Sequence, residues 1–310
     1  MGGRLVDIKL IGTVCVVGAG FMGWQIGLQC SSHGFPVAFY DVSPDSLELA
    51  LRSVKEELGR RAAEGETTPQ EERAILGRIT TTTDLEEAAS GVDLVIEAVP
   101  ERLDLKREIF GRLDEICADH AILATNSSSI RVSKIEGATG RTEKVLNMHF
   151  YSGPWRRPIV ELMRGTSTSD DTMLRAREFA EAIGVIPLVV LRESTGFIFN
   201  RVWRAVKREC LHLVDEGVAS FEDVDRAWIC LYGTGMGPFG MMDRVGLDVV
   251  RDIEMVYYEE SGDERDRPPR VLLEKIERGE LGVKTGRGFY SYPDPAFQDP
   301  SWLKKKDAAR

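Results

Sequence analysis

The run GAGFMG at residues 18–23 constrains this chain more than any other feature, because of what flanks it. Residues 13–17 are β-branched and apolar, as a buried strand requires, and Met22, Ile26 and Leu28 continue as one apolar helix face. Gly18, Gly20 and Gly23 therefore occupy a strand-to-helix turn at the G-x-G-x-x-G spacing. The first glycine makes the tight turn, the second lets backbone N–H groups reach a pyrophosphate, and the third lets helix pack on strand. About 20 residues further on, an acid closes the segment VAFYD. A carboxylate there accepts hydrogen bonds from an adenosine ribose and repels a 2′-phosphate, so Gly18, Gly20, Phe21, Met22, Gly23 and Asp41 read as an NAD site rather than an NADP site.

The rest of the first half agrees with an α/β architecture. Short β-branched runs at 13–17, 37–40, 93–97, 121–125 and 144–149, with two more near 159–162 and 186–191, alternate with helical periodicity. This is the pattern of a Rossmann-type, doubly wound sheet. A charged insert over 44–78 carries Leu47, Leu51, Val54 and Leu58 at helical spacing and a second helix start at Thr68-Pro69, which predicts a helical hairpin projecting from the sheet. After Leu191 strand signals stop, and helical patterns fill 197–216, 221–230, 238–260 and 268–278. Two domains follow: 1–191, a dinucleotide-binding sheet domain, and 192–310, an all-α C-terminal substrate and dimerisation domain. The proline-broken tail from Pro293 should wrap the surface or be partly disordered.

Composition narrows the classes of function. A formal net charge of −10 speaks against a general nucleic-acid surface, and runs such as Lys304-Lys305-Lys306 are short enough to be solvated faces. Nothing approaches the roughly 18 apolar residues of a membrane span, and the first ten residues show neither a signal-peptide run nor, because of Val6, a myristoylation pattern. Five widely spaced cysteines suggest neither a disulfide framework nor a metal site. A soluble chain in a reducing, cytoplasmic compartment is expected.

Several separate segments, VVGAGFMG, LVIEAVPERLDLKREIF, ATNSSSI, NMHFY, IVEL, STGFIFNR, GTGMGPFGMMDRVGLD and VKTGRGFYSY, resemble the L-3-hydroxyacyl-CoA dehydrogenase family in order and spacing over nearly the whole chain. The resemblance implies NAD as cofactor, a homodimer, and a place in fatty acid metabolism. It also implies cofactor contacts from Glu101, Lys106 and Lys284, with Asn126 beside the nicotinamide end. Read without the family, Glu101 and Lys106 are ordinary first-turn helix charges.

The same resemblance makes His149 and Glu161 the catalytic pair, with Ser128 and Asn200 around the reacting oxygen. Independent chemistry supports the pair. Oxidising an alcohol by hydride transfer needs a base for the hydroxyl proton, which a neutral imidazole supplies, and a carboxylate fixes its tautomer and stabilises the imidazolium. His149 ends a predicted strand, where ligands bind in open α/β sheets. Ser128 could equally cap a short helix near Ile130, and Asn200 could be a satisfied helix-interior amide. His33, His120 and His212 lack such context and read as turn or helix-surface residues.

On the substrate side the chain departs from the family. Where the family usually reads HFFNP, residues 149–153 read HFYSG, and the next segment, with Trp155, Arg156 and Arg157, is bulky and cationic. Trp203, Arg204 and Lys207 share a face of the following helix, and Thr195 replaces the proline of a TPGF turn. In the hairpin Glu64-Gly65-Glu66 stands where a lysine often meets CoA phosphates, with Arg60 and Arg61 one turn earlier. Trp155, Arg156, Arg157 and Arg204 are thus candidate substrate contacts, Arg156 or Arg157 clamping a carboxylate. Three readings remain: oxidation of an L-3-hydroxyacyl-CoA, the same chemistry on a CoA-free anionic hydroxy acid as in gulonate and carnitine dehydrogenases, and a non-catalytic, crystallin-like NAD-binding protein.

Overall fold

The structure is a computed structural model that describes residues 11–304, so the N-terminal ten residues and Lys305-Lys306, read above for targeting and charge, lie outside it. The described residues form two compact units that divide between Ile198 and Phe199.

The first unit runs β1 (Val14–Val17), α1 (Phe21–Ser32), β2 (Val37–Tyr40), α2 (Pro44–Ala63), α3 (Pro69–Leu76), β3 (Ile79–Thr82), α4 (Leu85–Ala89), β4 (Leu94–Glu97), α5 (Leu103–Ile116), β5 (Ile122–Thr125), β6 (Val145–Phe150), β7 (Ile159–Arg164), α6 (Asp170–Ala182) and β8 (Ile186–Val190). Its sheet has the order β3-β2-β1-β4-β5-β6-β7-β8, so chain order reverses between β1 and β4. A ligand crevice opens at that point, outside the carboxyl ends of the strands. Alternate residues of β1 serve two cores. Val14 and Val16 pack with Ile26 of α1 and Ala176 and Phe179 of α6, whereas Cys15 and Val17 pack with Ala88 of α4 and Phe110 and Leu113 of α5. Helices therefore cover both faces, which is why the strands are apolar throughout rather than alternating.

Two features of the sheet differ from the sequence expectation. The edge strand β3 (ITTT) was not foreseen; it is threonine-rich, partly exposed, and pairs with β2 alone among the described strands. β7 runs antiparallel to β6, and β8 parallel to β7, so the sheet is mixed. The connection over 151–158 is shorter than the dozen or so residues a parallel crossover needs. The helical hairpin forms as expected, with Thr68 and Glu71 in a capping box, and Val54, Leu58 and Ile75 seal its base onto Leu28 of α1.

The second unit holds α7 (Phe199–Asp215), α8 (Phe221–Tyr232), α9 (Pro238–Val245), α10 (Leu247–Ser261) and α11 (Arg270–Glu277). The pattern over 238–260 predicted one helix, but Gly246, at φ +104°, breaks it into α9 and α10. Two buried carboxylates bind this unit together. Asp225 accepts from the amides of Phe239 and Gly240 and from the Tyr290 hydroxyl, and Asp243 from the amides of Phe289 and Tyr290 and the Tyr292 hydroxyl. The tail does not hang free up to Lys304: Phe297 and Trp302 are buried in the same core. None of the five cysteines is in a disulfide, and Cys230 alone is exposed. No helix among the described residues is long and apolar enough to cross a membrane.

Candidate active site

The glycine turn lies at the carboxyl end of β1. A Cβ on Gly18, which adopts φ +97°, would meet the Ala98 carbonyl oxygen at 2.8 Å, and one on Gly23 would fall 1.9 Å from the carbonyl oxygen of Gly18. Side chains are excluded there by backbone on both sides. At Gly20 the same test meets only open space. This glycine caps α1 without a side-chain hydrogen bond, and the first turn of α1 carries no acid. The positive end of a 12-residue helix thus faces outward with amides to spare, which fits a pyrophosphate. Phe21 and Met22 begin that helix, Phe21 exposed. Asp41 accepts from the amides of Ala19 and Ser43 at 2.9 and 3.0 Å, so the acid expected on the ribose also bolts the glycine turn to the end of β2.

Across the crevice the structure gives Lys106 and Glu101 more definite local partners than the sequence suggested. Lys106 is 1% exposed; its ammonium lies 2.8 Å from the wholly buried Glu97 and 3.3 Å from Glu101. Glu97, which sequence reasoning missed, also accepts from Thr125 and the Val99 amide. Glu101 accepts from the Ser127 and Ser129 hydroxyls and from the Ser129 and Ile130 amides. Burial pushes its carboxyl up, but the Lys106 charge and these hydroxyls outweigh burial and hold it below the usual range. Asn147 braces the same loop, accepting from the Val132 amide and donating to the Ile130 carbonyl. The cap on Ile130 comes from Ser127, not Ser128. Ser128 is exposed, and its hydroxyl has no partner among the described residues. Asn126 accepts from the Phe150 amide at 2.8 Å, tying the end of β5 to the end of β6.

His149 and Glu161 come together as the sequence predicted. Nδ1 of His149 lies 2.9 Å from Oε2 of Glu161; the imidazole is 5% exposed and the carboxylate 0%. A carboxylate only accepts, so Nδ1 carries the proton and Nε2 is left as the basic nitrogen. The Ile198 amide donates to Oε1 of Glu161 at 2.9 Å, and the Tyr151 hydroxyl donates to Oε2 at 2.9 Å. The imidazole packs against Tyr151 and Phe197, with ring centroids 4.6 and 5.2 Å away. Phe197 holds φ +55°, a left-handed conformation that a bulky side chain adopts only where its surroundings impose it. The Ser194–Ile198 turn thereby delivers both a ring to His149 and an amide to Glu161. Neither Tyr151 nor Phe197 was singled out for a role at this pair; the change from HFF to HFY was the available signal.

The candidate substrate residues fare differently. The loop after β6 is fastened to α1 by the Gly153 amide on the Gln25 side chain (2.7 Å) and by Trp155, which packs on Trp24 and beneath the Arg61 guanidinium. Arg61 is buried rather than solvated, and Arg60 pairs with Glu57 and Glu64. Arg156 and Arg157 on that loop are exposed, and neither guanidinium forms an ion pair among the described residues. Arg204, expected at the substrate, pairs in the helical unit with Glu254 (3.2 Å) and Asp266 (2.5 Å) and stacks on Tyr257. Lys207 is buried on Glu254. Lys284, expected at the cofactor, lies 2.6 Å from both oxygens of Asp248, and Asn200 is partly exposed on the first turn of α7. His33, His120 and His212 each have a local partner, in Gln29, Asp93 and Arg265.

Residues 13–194 match the family model described as the NAD binding domain of 3-hydroxyacyl-CoA dehydrogenase, and residues 196–292 match that of its C-terminal domain. A probable 3-hydroxybutyryl-CoA dehydrogenase of Bacillus subtilis is 37% identical over 281 residues, covering 91% of this chain and 97% of that protein. The crystal structure of (S)-3-hydroxybutyryl-CoA dehydrogenase PaaH1 from Ralstonia eutropha superposes with a TM-score of 0.87 at 33% identity, over 92% of this chain and all of that one. A 5-formyl-3-hydroxy-2-methylpyridine 4-carboxylate 5-dehydrogenase of Mesorhizobium japonicum is 31% identical over 288 residues, covering 91% of each chain.

Proposed function

The chain belongs to the 3-hydroxyacyl-CoA dehydrogenase family, NAD-dependent oxidoreductases acting on CH–OH, and from that premise we propose that it interconverts an L-3-hydroxyacyl-CoA and the 3-oxoacyl-CoA, with His149 and Glu161 as its acid–base pair. The buried 2.9 Å contact between His149 Nδ1 and Glu161 Oε2 carries the reading. With Nδ1 committed, Nε2 takes the proton of the substrate hydroxyl, and Glu161 stabilises the imidazolium. Bound NAD supplies the acceptor for the hydride that leaves the carbinol carbon. The uncommitted Ser128 hydroxyl donates to the substrate oxygen as it becomes a carbonyl, and Asn200 keeps the matching role that the family resemblance gives it. Asp41, Gly20 and the α1 N-terminus hold the adenosine and pyrophosphate, while Glu101 and Asn126 bound the nicotinamide end.

A free hydroxy acid is the second reading, favoured by Arg156 and Arg157, exposed and without ion pairs on the loop that follows His149, and by the pyridine-carboxylate relative. The experiment is a panel of acetoacetyl-CoA with NADH and free hydroxy acids with NAD, followed by NADH absorbance. Acetoacetyl-CoA reduction with at least ~100-fold higher kcat/KM than any free acid supports the thioester; the reverse ranking, abolished by Arg156→Ala, establishes the acid clamp.

The helical unit also supports a homodimer. Val249, Ile253 and Val256 form an exposed apolar stripe along α10 at helical spacing, as a self-complementary interface requires. Free cysteines fit a reducing, cytoplasmic setting.

A further inference from the structure

We propose that Tyr151 is a positioning residue for the catalytic pair, which sets the pH at which His149 accepts the hydroxyl proton. The inference rests on the reading of His149 as the base.

Two donors meet on a single oxygen. The Tyr151 hydroxyl and His149 Nδ1 both lie 2.9 Å from Oε2 of Glu161, while Oε1 receives the Ile198 amide. Among the described residues, the titratable groups facing the imidazole are Glu161 on β7 and Tyr151 just past β6. The Ser194–Ile198 turn contributes the Phe197 ring and the Ile198 amide, both uncharged. Burial, reinforced by the adjacent Glu161 charge, pushes the Tyr151 phenol well above its ordinary range, so the hydroxyl keeps its proton and stays a donor.

A phenolic O–H aimed at a carboxylate draws charge from the oxygen that also serves the imidazole. Glu161 then stabilises an imidazolium less than it would without that second donor. The Tyr151 ring also packs on the imidazole, with ring centroids 4.6 Å apart. Phenylalanine at this position would retain the ring and lose the donor. The departure from HFFNP thus changes the electrostatics of the pair without changing its members.

The test compares wild type with Tyr151→Phe by pH-dependent kcat/KM for the oxidation and by NMR of ring-labelled histidine, tractable because the chain has four histidines. His149→Gln assigns the signal. The ratio of kcat/KM at pH 8 to that at pH 6 should rise about 3-fold in Tyr151→Phe, and the titration midpoint of the His149 signal should move upward. An unmoved ratio and midpoint overturn the proposal, as does a loss of kcat that is equal at every pH, the signature of a purely structural tyrosine. If wild type turned over no hydroxyacyl substrate, the proposed function would fail while the NMR arm still decided the role of Tyr151.

Discussion

His149 and Glu161 are direct register partners in the antiparallel β6–β7 ladder, so the contact between imidazole and carboxylate is a cross-strand pair fixed by the sheet itself. Side chains in a ladder alternate faces, and a one-residue slip would send one of the two to the opposite face. The geometry of this pair is therefore as stable as the strand register. Two further donors, on Tyr151 and Ile198, leave Glu161 little freedom to rotate.

Replacing Glu161 by Gln tests that pair without a change of volume. The glutamine amide can donate toward Nδ1, which favours the tautomer with the proton on Nε2, where a base is needed. Turnover should fall by about 10²-fold or more while NAD affinity, measured by fluorescence titration, stays within about 2-fold.

The Glu97–Lys106 ion pair is buried at the edge of the crevice. Lys106→Met leaves the 0% exposed Glu97 carboxylate without its cation and should cost about 3–5 kcal/mol in urea denaturation. The double variant Glu97→Gln, Lys106→Met should recover a large part of that loss, because the uncompensated charge is gone. Equal stability of the single variant and wild type would show that the pair is not what holds this end of β4.

Asp41 accepts from the Ala19 amide and, in the proposed function, also from the adenosine ribose of the cofactor. Asp41→Ala should raise the KM for NAD by at least about 10-fold and reduce discrimination against NADP, with kcat affected far less. Steady-state kinetics with both cofactors decides it.

Asp225 gives the helical unit a defined pH response. Burial pushes its carboxyl up to about 6 from 3.8, against the hydrogen bonds from Phe239, Gly240 and Tyr290. The folded state therefore binds this proton more tightly than the unfolded state. Its contribution to stability is full below about pH 4, is lost as pH rises toward 6, and is flat above. The stability of wild type relative to Asp225→Asn, from denaturation at each pH, should fall by about 2–3 kcal/mol between pH 4 and pH 7. A difference that grows with pH would contradict the assignment.

Much of the fold was legible because local chemistry dictated it. GAGFMG between strand and helix located the crevice, Thr68-Pro69 started α3, and VAFYD placed Asp41 at the end of β2. His149 and Glu161 were legible as members of a site, but not as register partners, because the direction of β7 depends on the short connection over 151–158 rather than on its own residues. Edge strand β3 escaped because threonines that need no burial leave no apolar pattern. The roles of Lys106 and Arg204 depend on which acids tertiary packing brings near, Glu97 in one case and Glu254 with Asp266 in the other, and spacing along the chain does not encode that.

In the proposed function His149 moves the proton while the rest of the crevice holds the dinucleotide. The measurement that meets it most directly is single-turnover NADH absorbance with His149→Gln beside an NAD binding titration of the same preparation. The account predicts a rate lower by about 10²–10⁴-fold with NAD affinity preserved. Turnover at the wild-type rate would contradict it.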